Sequence, residues 1–218
     1  MIMRTVCVAL ACLWGAGAVH AHDALLDAAL ARTAVAPADV PGTIRVTSTV
    51  FGGDTPETTS ESIDPKKEPK KALPSYAELK DVIGADAHVA GQSGGRTTYA
   101  FTTRHVPRGF SQAGSVSVSM DGKDDEETFD GRAEVSNDAG GKPYVSHVDL
   151  RLQAPSGNWL AKVKKLDLSY AFEPDTTRPD AMLATAMDVE VDVRAMLFVH
   201  AHARANARLV RTPAAPSP

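Results

Sequence analysis

Met187-Asp188-Val189-Glu190-Val191-Asp192-Val193 alternates apolar and acidic side chains. The run from 197 to 209 alternates again, with Leu197, Val199, Ala201, Ala203, Ala205, Ala207 and Leu209 at odd positions and His200, His202, Arg204, Asn206 and Arg208 at even ones. A period of two marks a strand with one face buried and one wet. The acids of the first run are opposite in sign to the bases of the second. Met182 to Val210 therefore reads as a long antiparallel hairpin with a charged outer face and an apolar inner face. A three-residue turn at Arg194 to Met196 would set Glu190 and Asp188 opposite His200 and His202.

Working upstream, Trp159 to Phe172 alternates with a slip. Trp159, Ala161 and Val163 are odd, whereas Leu166, Leu168, Tyr170 and Phe172 are even, with Lys164-Lys165 at the change. One extra residue that keeps the apolar face inward is what a β-bulge supplies, and bulges bend strands. Ser93-Gly94-Gly95 and Asn137 to Gly141 each separate two strand-like runs and predict hairpins. Phe129, Gly131, Ala133 and Val135 share one face of their run, as do Tyr144, Val148, Leu150 and Leu152 of the next. Thr43 to Phe51 predicts a strand with Ile44, Val46, Ser48 and Val50 on one side. Two short helices are expected: Asp23 to Arg32, acidic at its start and basic at its end, and Ser75 to Ile83, opened by a Ser75/Glu78 capping box and closed by Gly84. The fold class is mainly β, a long antiparallel meander curled into a half-barrel with two short α-helices packed on it.

Residues 1–21 read as a secretory signal peptide, with Arg4, an apolar run from Val6 to Val19 and Val19-His20-Ala21 before the cleavage point. Residues 22–212 then form a single β-rich domain, with mobile loops at 52–71 and 109–125, and 213–218 a disordered tail. Segment 52–71 is expected to be mobile because Ile63 is almost its only apolar residue. Both cysteines, Cys7 and Cys12, fall inside the signal, which leaves the mature chain no disulfide, thiolate site or cysteine nucleophile. The net charge of −4 becomes more negative by one with loss of Arg4, which argues against nucleic acid or an anionic membrane surface as partner. Only 6% of residues are aromatic, too few for the girdles of a membrane-inserted barrel. Membrane contact is accordingly expected to be peripheral or absent.

The signal, the N-terminal helix, the meander and the capped helix together resemble the periplasmic lipoprotein-carrier superfamily, the LolA/LppX-like half-barrels. Pro143-Tyr144-Val145, Lys162-Val163-Lys164 with Tyr170-Ala171-Phe172, and Arg194-Ala195-Met196-Leu197-Phe198 carry most of the resemblance. It implies a curved sheet whose concave face, partly lidded by helices, holds acyl chains, and it offers no catalytic residue.

The ligand-binding face is therefore expected at Ala201, Ala203, Ala205, Ala207, Val189, Val191, Leu168 and Tyr170. Inward alanines leave room that Val or Leu would fill. That room is either an apolar pocket for a lipid or lipoprotein acyl chain, or the seat of a close-packed helix, Asp23 to Arg32. His200 and His202 with Asp188 and Glu190 form the metal alternative, but Arg204 and Arg208 on the same face repel a cation. A Ser146/His147/Asp149 triad is excluded in this reading because strand neighbours point to opposite faces. No enzyme, cofactor or resident metal is expected. An envelope scaffold without a small-molecule ligand is the other reading, and oligomeric state is not legible.

Overall fold

The computed structural model describes residues 23–52, 55–107, 127–157, 161–195 and 199–211. The signal-peptide segment, the 109–125 loop, Trp159 and the 213–218 tail lie outside them.

Alternation becomes strands where it was expected. In chain order these are α1 (Ala24–Leu30), β1 (Thr33–Ala34), β2 (Gly42–Phe51), β3 (Glu57–Ile63), α2 (Leu79–Val82), β4 (His88–Ser93), β5 (Arg96–Thr103) and β6 (Phe129–Asn137). There follow β7 (Pro143–Leu152), β8 (Ser156–Gly157), β9 (Ala161–Pro174), β10 (Ala181–Ala195) and β11 (Val199–Arg211). They build one sheet in the order β3-β2-β11-β10-β9-β7-β6-β5-β4, with β8 beside β9 and the two-residue β1 parallel to β10. The sheet is antiparallel apart from β1 and does not close into a barrel. β3 and β4 are its edges.

Parity decides what is buried. Ile44, Val46 and Ser48 of β2, Val189 and Val191 of β10, Leu166 to Phe172 at even positions of β9, and Phe129 to Val135 at odd positions of β6 all lie in the interior. Each large apolar side chain so placed contributes about 1.5–3 kcal/mol. Over them lie α1, through Leu26, Ala29 and Leu30, and the Tyr76–Ile83 segment, through Tyr76, Leu79, Val82 and Ile83.

Of the four register shifts among the described residues, one lies in the exposed edge strand β4 at Ala90, and the other three keep that parity. Asp192 pairs with Lys165 but Val193 with Val163, so Lys164 is the extra residue at the slip seen in the sequence. Thr185 is extra in β10. Ser146 is extra in β7, where His147 pairs with Glu134 and Val145 with Val135. This last bulge makes Val145 the buried residue, while Tyr144, expected inward, packs only at the margin.

Four expectations change. The mobile 52–71 segment contains β3, whose Thr58, Thr59 and Ser60 pair with Thr49, Ser48 and Thr47. An edge strand needs ladder bonds and β-branched residues more than an apolar face. The capped helix is a 3-10 turn, Tyr76–Glu78, running into the single α-turn α2, with the Ser75/Glu78 capping box formed. The three-residue turn expected at Arg194 to Met196 does not form there, because Arg194 and Ala195 still pair with His200 and Val199. Finally, α1 packs on β7 and β6, away from the alanines of β11.

Candidate functional site

The corrected hairpin register places Asp192 opposite His202, Arg194 opposite His200, Glu190 opposite Arg204 and Asp188 opposite Asn206. Parity survives a shift of an even number of residues, so the faces hold while the expected partners do not. Glu190 Oε1 lies 3.0 Å from Lys165 Nζ, 3.6 Å from Arg204 Nη2 and 3.7 Å from His202 Nε2. Lys165 first of all holds the Glu190 carboxyl below its usual range. Asp188 is taken by Arg208, whose Nη2 donates to both carboxylate oxygens at 2.7 Å. The His202 ring leans on Phe51, 5.2 Å between centroids. Cations thus occupy the carboxylates that a metal would need, and among the described residues no group of three or more His, Cys, Asp or Glu is arranged to hold one.

The same polar face carries a trough of about 770 Å³ across β5, β6, β7, β9 and β10, its lining including Asp86, Arg132, Asp149, Arg151, Asp167 and Ser169. The Ser146 bulge turns both Ser146 and His147 to this side, contrary to simple alternation. Ser146 Oγ is 2.9 Å from Ser136 Oγ. His147 Nε2 meets Asp149 Oδ1 and Ser169 Oγ, each at 3.0 Å. Asp149 raises the His147 pKa and is itself lowered by that imidazole. Serine and acid converge on one nitrogen, whereas a triad base must take a proton on one ring nitrogen while the acid holds the other. The cluster is an ion-pair network, not a nucleophile relay.

Gly91-Gln92-Ser93-Gly94-Gly95 has the letters of Gly-x-Ser-x-Gly. A nucleophile elbow needs a strand-to-helix turn. Here Gly94 and Gly95, at φ +56° and +75°, join β4 to β5, and Ser93 pairs with Arg96 at an exposed hairpin end.

On the apolar side, Ala201, Ala203, Ala205, Ala207, Val189, Val191, Leu168 and Tyr170 share one face. Ala203, Ala207, Val189, Val191, Leu168 and Tyr170 are buried in the continuous core, with Ala201 and Ala205 partly exposed. Two buried hydroxyls there, Ser48 Oγ and Tyr170 Oη, have no hydrogen-bond partner among the described residues. Burial pushes the Tyr170 phenol far above its ordinary range.

The apolar cleft lies beside that core. It has a volume of about 560 Å³, and its wall includes Val35, Val40, Ile44, Leu73, Tyr76 and Leu183. The 35–40 and 69–74 segments form its rim, and the start of β10 its floor. Tyr76 closes one side. Its hydroxyl donates to Ala29 O at 2.9 Å and accepts from Val145 N–H at 2.7 Å, and desolvation pushes its pKa up to about 12. Sequence reasoning missed this cleft because its rim is loop. The available signal was a set of apolar residues, Val35, Val40, Ala72 and Leu73, standing among prolines without a period. Comparison with protein-family models, curated proteins and solved structures gives no significant match.

Proposed function

We propose that this protein is a non-catalytic, secreted periplasmic carrier that holds an acyl chain on the helix-covered apolar side of its half-barrel. The observation that carries the reading is the cleft between the 69–76 segment and β10. Its volume falls within the roughly 300–1,000 Å³ of small-molecule sites, and most of its lining residues are apolar, with Lys70, Ser75 and Glu78 among them, although polar atoms make up nearly half of its exposed surface. Its rim includes 3-10 turns at Pro37–Asp39 and Pro69–Lys71, short elements with little cohesion of their own, suited to parting for a ligand. The resemblance to the lipoprotein-carrier half-barrels supports the same reading, as does the signal-like N-terminus for its compartment.

The test is native mass spectrometry of the protein purified from its own envelope fraction, paired with Val40→Trp. Val40 is half-buried on the rim, so indole there fills the cleft without entering the main core. We expect a co-purifying lipid mass in the parent and its loss in the variant, at an unchanged urea midpoint. A parent that carries no lipid and binds no apolar probe would leave the second reading, an envelope scaffold. That reading is favoured by the burial of the β9–β11 inner face in the core.

A further inference from the structure

We infer that the occupant of the apolar cleft is a single-tailed anionic amphiphile whose headgroup is held at the rim by Lys70; this rests on the carrier reading above. Two of the residues lining the cleft are basic or acidic in type, Lys70 and Glu78. Glu78 is engaged by the capping box, its Oε1 accepting the Ser75 N–H at 3.0 Å. Lys70 is exposed and has no ion pair among the described residues, whereas Lys71 and Lys67 are engaged, with Glu68 at 2.7 Å and Asp64 at 3.7 Å, and Lys66 does not line the cleft. The cleft thus offers an entering molecule apolar wall inside and one uncommitted cation at its mouth. A neutral head leaves that ammonium no better off, a cationic head is repelled, and an anionic head gains a charge-assisted contact beside a low-dielectric wall. A volume of about 560 Å³ takes one long chain, not the several tails of a multiply acylated lipid.

The experiment measures binding of palmitate, hexadecanol, hexadecyltrimethylammonium and palmitoyl-lysophosphatidylglycerol, all below their micelle concentrations, to the full mature chain and to Lys70→Ala and Lys70→Glu. Palmitate should bind the parent about fivefold more tightly than hexadecanol, the factor that one solvent-accessible ion pair supplies. Lys70→Ala should erase the difference without changing hexadecanol affinity, and Lys70→Glu should turn the preference toward the ammonium. The lysophospholipid arm separates a phosphodiester head from a carboxylate, and a Lys70-dependent gain with either supports the inference. Equal hexadecanol and palmitate affinities, or a preference untouched by both variants, would overturn the headgroup assignment while leaving the carrier reading intact. Binding of none of the four overturns both.

Discussion

Gly131 sits in the middle of β6 with Phe101 of β5 directly opposite, and a Cβ built on the glycine falls on the Phe101 ring. A glycine inside a strand ordinarily weakens it, but here the aromatic ring covers the backbone that the missing side chain leaves open. Both residues are buried. Gly131→Ala should therefore destabilise the protein by about 1–3 kcal/mol through overpacking, despite the better strand propensity of alanine. In Gly131→Ala/Phe101→Leu the loss should be smaller than the sum of the two single changes, because the clash goes with the ring. Urea denaturation of the four proteins measures this, and strict additivity would show that the ring does not fill the glycine site. The sequence shows Gly131 on the apolar face, but no pattern within one strand reveals which residue of the next lies over it.

At the scale of elements, the polar face carries charges that fit the observed register. Asp130 and Arg132 of β6 pair with Arg151 and Asp149 of β7, and acidic Glu190 of β10 stands between basic Arg204 of β11 and Lys165, on β9. A slip by one residue would also turn the apolar face outward, so both faces specify the same pairing. Glu190→Gln should cost roughly 0.5 kcal/mol at pH 7, a value kept small because the pair is partly exposed to solvent. The Glu190 pKa is lowered on folding, so its contribution is present above the unfolded carboxylate value and fades as pH falls through the folded one. Midpoints of parent and variant should therefore converge in acid, and in about 1 M salt at neutral pH. A difference that survives both conditions would mean that packing, not charge, is lost.

These elements also mark how far the sequence could be read. The Lys164 bulge was legible because apolar residues on both sides changed parity. The Ser146 bulge was not, since Tyr144 stands where an unbroken alternation would also place an apolar residue. Parity fixed the faces of β10 and β11 but not their partners, because any even shift preserves it. β3 was hidden by its polar composition, which an edge strand tolerates. The apolar cleft, made of loop residues, had no period to read.

Over the whole molecule, the cover of the sheet is fastened at both ends of α1. Tyr99 Oη donates to Asp23 Oδ2 at 3.0 Å at the start of α1, and beyond its end Arg32 Nη2 reaches Asp138 at 2.9 Å and Pro179 O at 2.6 Å. These contacts tie α1 to β5, to the β6–β7 turn and to the β9–β10 connection, while the cleft is lined in part by β2 and β10. Between them stands Tyr76, joined to α1 through Ala29 O and to the sheet through Val145 N–H, two residues past the last β7–β9 pair, and packed edge-on to Phe172 at 5.3 Å. Tyr76→Phe keeps the ring contact but strands the buried Val145 N–H and leaves Ala29 O only its 3.3 Å bond from the Arg32 N–H. The expected loss is about 1–3 kcal/mol in urea. Because one hydroxyl joins three elements, the loss should not stay local. Amide exchange should quicken in Ala24–Leu30 as well as around Tyr76, while the β10–β11 ladder, which the hydroxyl does not touch, keeps its protection relative to the new global stability. A variant with an unchanged midpoint would show that the Tyr76 hydroxyl does not help to hold α1; one in which every amide loses protection equally would show that cover and sheet unfold as a single unit, leaving no independent motion of the cover to admit a ligand.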